Sequence, residues 1–240
     1  VILLKIINYK MEHNRFFHHR KDGEFKGQLL QDKYLDENVF NGKENGIFVE
    51  VGALDGIGAS NTLFFEQKRN WTGILIEPNP VEYVRLVDSK RNSIFENCAI
   101  SNFEGDVNFL SISGPCNVLS GIMEFYDPRH LQRIKYELSQ YSNYKIDHEL
   151  YSTSEIVMIK SKKLSTIFKE NNYTTIDLLS VDVEGAELEV LKSIDFNEVN
   201  IECILLENNY GIEKETEFLI ANGYIVLTNI QWDVVFVKNK

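Results

Sequence analysis

Residues 47–56 read Ile47-Phe48-Val49-Glu50-Val51-Gly52-Ala53-Leu54-Asp55-Gly56. A β-branched and aromatic run closes on a carboxylate and turns at once on glycine, the pattern of a buried strand followed by a sharp turn. Open α/β sheets bind ligands just beyond the carboxyl ends of their strands, where strand order switches. The turn is not G-x-G-x-x-G, and the helix expected over 60–68 does not begin immediately after it. The first glycine therefore does not deliver a pyrophosphate to a helix N-terminus. Glu50 offers instead a carboxylate suited to a cofactor carrying an ammonium group.

Downstream, strand and helix patterns alternate. Strands are expected over 73–76 and 93–97, with a helix over 81–89 whose Val84, Leu86 and Val87 are available for burial. The second half repeats the theme: a strand over 175–181, a helix over 186–194, a strand over 201–206 and a helix over 213–222. A closing antiparallel pair, 224–229 and 232–237, turns at Ile230-Gln231. This alternation predicts an α/β fold with a doubly wound, mostly parallel seven-stranded sheet, right-handed crossovers and an antiparallel C-terminal strand.

Between the halves, residues 103–165 form an insertion after the third strand. It carries expected strands at 107–113 and 155–160 and helices at 128–141 and 164–170. Tyr126, Tyr136, Tyr141, Tyr144 and Tyr151 cluster there, which suits either a substrate lid or an ordinary packed excursion. Residues 1–240 are read as one domain, with a helical N-terminal segment over 1–45.

The 240 residues carry 25 Lys/Arg against 36 Asp/Glu, a net charge of −11 that disfavours a nucleic-acid partner. Residues 1–26 are basic by contrast, with six Lys/Arg against three Asp/Glu. Their opening run, VILLKIINYK, is too short and too interrupted for a membrane span. Cys98, Cys116 and Cys203 are odd in number and widely spaced, with no zinc-ligand pattern, which fits a reducing, cytoplasmic setting.

Two further acidic signals join Glu50. Glu77 ends the second strand 25 residues after Gly52, before Pro78-Asn79-Pro80, where a carboxylate commonly takes two ribose hydroxyls. It would repel a 2′-phosphate. In Ser180-Val181-Asp182-Val183-Glu184-Gly185-Ala186-Glu187, Asp182 ends a strand beside the first. Glu184 and Glu187 fall three apart on one face of the next helix's first turn, where acids also complement the helix dipole, an alternative that applies to Glu187 and to Asp182. Leu188, Leu191 and Ile194 are expected in the core. The histidines are less informative: His13, His18 and His19 read as solvated, while His130 and His148 lie in the insertion, within reach of an acceptor if it folds over the site. Ser120-Gly121 reads as a close-approach turn near the substrate.

The phrases FVEVGALDG, ASNTLFFE, GILIEPNP and LLSVDVEGAELEVL, in that order, resemble the FkbM family of S-adenosylmethionine-dependent methyltransferases. Gln28 and Gln31-Asp32 look like that family's N-terminal motif. The resemblance implies a class I, Rossmann-like fold binding S-adenosyl-L-methionine. The cofactor's methionine would lie over Glu50, Gly52, Ala53, Asp55, Gly56 and Asn61. Its ribose would sit at Glu77, Pro78 and Asn79, its adenine near Asn97, Cys98 and Ala99, with Asp182 alongside. It also implies O-methylation of a hydroxyl on a sugar, glycan or other small molecule. Asp182 is the first candidate beside the acceptor, with Glu184 and Glu207 next. Such carboxylates also permit Mg²⁺. A non-catalytic Rossmann-like module and an NAD-dependent oxidoreductase are the rival readings.

Overall fold

Eleven strands are found in the computed structural model, which describes residues 23–141 and 152–239. They are β1 (Ile47–Val51), β2 (Thr72–Ile76), β3 (Ile94–Glu96), β4 (Ala99–Ile100), β5 (Gly105–Ser113) and β6 (Gly121–Ile122). The remainder are β7 (Thr153–Lys162), β8 (Thr175–Val181), β9 (Asn200–Glu207), β10 (Tyr224–Ile230) and β11 (Asp233–Lys238). The α-helices are α1 (Gln31–Leu35), α2 (Leu63–Arg69), α3 (Pro80–Asp88), α4 (Pro128–Tyr141), α5 (Leu164–Glu170), α6 (Glu187–Lys192) and α7 (Glu213–Ala221).

The main sheet has the order β10-β11-β9-β8-β1-β2-β3. From β3 to β9 its neighbours pair parallel, whereas β11 lies antiparallel to both β9 and β10. The chain winds outward from β1 through β2 to β3, then resumes on the other side of β1 with β8 and β9. Strand order thus switches between β1 and β8, and the cleft opens there. The expected seven-stranded doubly wound sheet is the one observed.

Successive side chains of a strand point to opposite faces, and here both faces are buried. Val49 and Val51 join Leu191 and Ile204 in one cluster; Phe48 joins Phe64, Phe65 and Trp71 in the other. By the same parity Glu50 points to the Phe48 face, which decides its partners below.

The helix α2 begins later than expected. Ser60 and Thr62 spend their hydroxyls on Glu50 and on local turns, so α2 starts at Leu63. In α3 the buried positions are Glu82 and Leu86; Val84 is 61% exposed and Val87 is also exposed, against expectation. The Asn79 cap sets the helix phase, and i, i+4 spacing then turns Glu82 and Leu86 inward.

The insertion, joined by β4 just before it, builds a second sheet, β4-β7-β5-β6. β5 pairs antiparallel with β7 from Gly105↔Ser161 to Ser113↔Thr153. Asn79 ties this unit to the main sheet. Its side chain accepts from Val81 N at 3.1 Å and Ser111 Oγ at 3.0 Å, and donates to Ile112 O at 2.9 Å and Ser120 Oγ at 3.0 Å. No helix among the described residues is long and apolar enough to cross a membrane.

Candidate active site

The switch-point cleft encloses about 1420 Å³ of non-protein space, part of it open to solvent. Its floor is the contact between two strand ends. Gly52 has φ +86°, and a Cβ there would lie 1.9 Å from the Asp182 carbonyl oxygen. Asp182 N in turn donates to Val51 O at 3.1 Å. Only glycine fits. Gly52→Ala is expected to destabilise by about 2 kcal/mol through overpacking and left-handed strain, measurable by urea denaturation.

Glu50 lines the cleft, but its carboxylate is engaged from below. It accepts from Ser60 Oγ at 2.8 Å, Thr62 Oγ1 at 2.5 Å and Asn61 N at 2.9 Å, and Arg91 Nη1 lies 3.6 Å away. Arg91 thus balances its charge. The group left open in this wall is Asn61 Oδ1, buried and without a hydrogen-bond partner. Asn61 Nδ2 donates to Ser180 Oγ at 3.1 Å, which fixes the amide.

Glu77 is also buried. Its two oxygens accept from Leu54 N and Asn79 N, both at 2.7 Å, and burial pushes its carboxyl up to about 8 despite those donors. Ala53, Pro78, Cys98 and Ala99 line the cleft with it. Asp55, Gly56, Asn79 and Asn97 do not. Asp55 accepts from Ile57 N and Gly58 N in its own turn, Gly56 packs on Leu86, and Asn97 Nδ2 donates to Glu77 O at 2.8 Å.

On the other side of Gly52, carboxylate oxygens of Asp182, Glu184 and Glu207 lie within 4.8 Å of one another. Glu184, at φ +56°, accepts from Asn209 Nδ2 at 3.0 Å and from Arg133 Nη1 at 3.3 Å. Burial works against the charge on Arg133, but Glu184 and Glu137 hold it in place. Glu187 does not line the cleft. It accepts from Gly185 N at 3.1 Å, shaping the turn below Glu184, and burial pushes it up to about 8.

The insertion supplies the facing wall with Asn117, Val118, Ser120, Gly121, Ile122 and Arg133. The Ser120-Gly121 turn is therefore at the cleft. Of the tyrosines, Tyr126 packs on His130 and Tyr136 faces solvent. Those at 141, 144 and 151, with His13, His18, His19 and His148, lie outside the described side chains. Gln28, Gln31, Trp232 and Asp233 complete the rim, and Gln31 Nε2 donates to Asp233. Arg133, Trp232 and Asp233 carry no local sequence signal; Gln28 and Gln31 stand in the N-terminal motif.

A doubly wound sheet with one reversed strand, an acid following β2 and a cleft at the switch point make a class I, Rossmann-like fold. The Methyltransferase FkbM domain matches residues 50–226, and the chain belongs to that family. Among solved structures, the chain is similar to a methyltransferase FkbM from Methylobacillus flagellatus KT (11% identity, 97% of this chain and 60% of that one, TM-score 0.45). It is also similar to a precorrin-6y C5,15-methyltransferase from Geobacter metallireducens GS-15 (12%, 92% and 98%, TM-score 0.45). A third is an Aeropyrum pernix fibrillarin with natively bound S-adenosyl-L-methionine (10%, 89% and 74%, TM-score 0.44). No curated protein matches the chain.

Proposed function

We propose that this chain moves a methyl group from S-adenosyl-L-methionine to a hydroxyl oxygen of a sugar, glycan or other small acceptor. The observation that carries this reading is the carboxylate trio of Asp182, Glu184 and Glu207, beside the Gly52 floor and across from Glu77. The cofactor fits the residues present. Asn61 Oδ1 is a buried acceptor lacking a donor, which an ammonium group supplies, and the oxygens of Glu77 can take two ribose hydroxyls. Cys98 and Ala99 give a small, apolar flank for the adenine. When bound, the cofactor supplies an electrophilic methyl group on a sulfonium.

The remaining work falls to this chain's residues. Asp182 orients the acceptor hydroxyl and, with Glu184 and Glu207 as alternatives, takes its proton. The insertion wall acts as a lid that excludes water and fixes the acceptor, since methyl transfer depends chiefly on alignment. Glu184 already accepts from Arg133 and Asn209. The three buried thiols suit a reducing, cytoplasmic setting.

Calorimetry with S-adenosylhomocysteine and, separately, NADH tests the reading. Binding of the former alone is expected; no binding of it at high micromolar concentration sinks the proposal. Asp182→Asn is expected to lower kcat by about 10²–10⁴-fold, the usual worth of a general base. Its S-adenosylhomocysteine affinity should stay within a few-fold of wild type.

A further inference from the structure

The N-terminal segment meets the cleft at Gln28 and Gln31, within a short loop whose two ends are pinned together. Asp32, fully buried, accepts from Lys26 N at 2.5 Å and from Lys33 N at 2.9 Å. One carboxylate thus ties the chain on either side of residues 27–31. Inside the loop, Leu30 N donates to Gly27 O at 3.1 Å and Leu29 N donates to Gln31 Oε1 at 2.7 Å. Leu30 stands at φ +62°, in the left-handed region where a leucine is strained. Across the cleft, Gln31 Nε2 donates to Asp233, the first residue of β11.

Beneath this loop lies Asn61 Oδ1. A Cβ on Gly27 would stand 3.0 Å from that oxygen, and 2.9 Å from both Gln31 Oε1 and Asp32 Oδ1. The buried acceptor that lacks a partner is therefore covered by loop backbone. An oxygen closed off from water is closed off from a ligand too, so a group that bonds it must enter while the loop is raised.

Resting on the methyl-transfer reading, we infer that residues 27–31 are a clasp over the ammonium end of the cofactor, latched by the Gln31–Asp233 hydrogen bond. S-adenosyl-L-methionine enters, and the spent product leaves, through the raised loop. Two features disfavour the latched loop without ligand: the strain at Leu30 and the unsatisfied oxygen of Asn61. An ammonium on Asn61 removes the second, so the ligand itself favours closure. Because Asp32 holds both ends, the loop rises as a unit and α1 stays docked. Gln31 and Asp233 act through the loop and are positioning residues.

The test is stopped-flow mixing of the full chain with S-adenosylhomocysteine, read by tryptophan fluorescence, with Trp232 in the cleft wall. Gln31→Glu keeps the side chain's size and the acceptor for Leu29 N, but sets a carboxylate against Asp233. Both kon and koff are expected to rise about tenfold or more, the worth of one hydrogen bond to a charged group, while Kd moves much less. Gln31→Glu combined with Asp233→Asn exchanges amide and carboxylate, remakes the bond in the opposite sense and should return both rates to wild type. Gln31→Ala lacks the donor and should also accelerate both rates, which keeps the measurement decisive if Gln31→Glu does not fold. Hydrogen exchange at the Leu29 and Leu30 amides reads the loop without ligand. It should be faster in Gln31→Glu and restored in the paired variant. A rise in koff alone makes Gln31 an ordinary contact and overturns the inference, as does a paired variant that restores nothing. Calorimetry of wild type separates the two readings: no binding of S-adenosylhomocysteine removes methyl transfer and the clasp with it, whereas binding with rates that no variant moves removes the clasp alone.

Discussion

Glu77→Gln is expected to weaken S-adenosylhomocysteine binding by about 100-fold while the sheet stays folded. Both carboxylate oxygens already accept a backbone N–H, from Leu54 and from Asn79, and both have lone pairs left for ribose hydroxyls. An amide is the same size but replaces one acceptor by a donor. Its NH₂ must then face one of those N–H groups and one ribose hydroxyl. Losing one charge-assisted hydrogen bond to the ligand costs about 1.5–3 kcal/mol, so about two decades in affinity follow. The wild-type site should also show pH dependence. Burial holds the empty carboxyl at about 8, and two hydroxyl donors favour its ionised form. Affinity should therefore rise with pH and level off above about 8, with proton release in calorimetry; the variant should be flat. A Glu77→Gln protein that binds like wild type removes the ribose assignment.

The same shift bears on stability. Glu77 and Glu187 are both raised from 4.5 to about 8 in the fold. Groups raised in this way favour the folded state while protonated. Their contribution is complete below about pH 4.5 and is lost as pH climbs through 8. Urea titrations of the ligand-free protein should place its midpoint higher at pH 6 than at pH 8.5, apart from other ionisations.

Arg91→Met should be the most destabilising single change near the site. Its buried guanidinium donates to Glu66 Oε2, Gly56 O, Ser60 Oγ and Thr62 Oγ1, each at 3.0 Å, and lies 3.6 Å from Glu50. Removing it leaves Glu50 buried without a counter-charge, a loss of about 3–5 kcal/mol. For a chain of this size the melting temperature should fall by about 10 °C or more. Arg91→Lys keeps the charge but not the planar fork and should fall between. If Arg91→Met melts within two degrees of wild type, Glu50 is not held as described.

Much of the sheet was legible because parallel strands buried on both faces are rich in apolar residues, as in Ile47–Val51 and Thr175–Val181. The strand-end acids could be read from position alone: Glu77 and Asp182 follow the last residue of a strand. Partnership was less legible. Glu50 also stands near the end of β1, one residue inside it, yet side-chain parity turns it toward Ser60, Thr62 and Arg91, the last 41 residues away in the chain. Asn61, inside a readable phrase, reveals its orphaned oxygen only once Ser180 has taken its other end. The insertion's helix α4 and longer strands followed local pattern. The β5–β7 ladder joins residues up to 56 apart, and no local pattern specifies such a pairing. Arg133 likewise has no marker among the charges of its helix, and only the docking of α4 brings it to Glu184.

Asn79 makes the two halves of the cleft mechanically continuous. Its backbone N–H holds one oxygen of Glu77, while its side chain grips β5 and Ser120 in the opposite wall. A shift of that wall reaches the carboxylate through a single residue. If the wall settles when an acceptor enters, the grip at Glu77 tightens; by thermodynamic reciprocity, filling the Glu77 side first readies the wall by the same amount. Such a linkage makes the two sides of the cleft fill and empty together rather than independently.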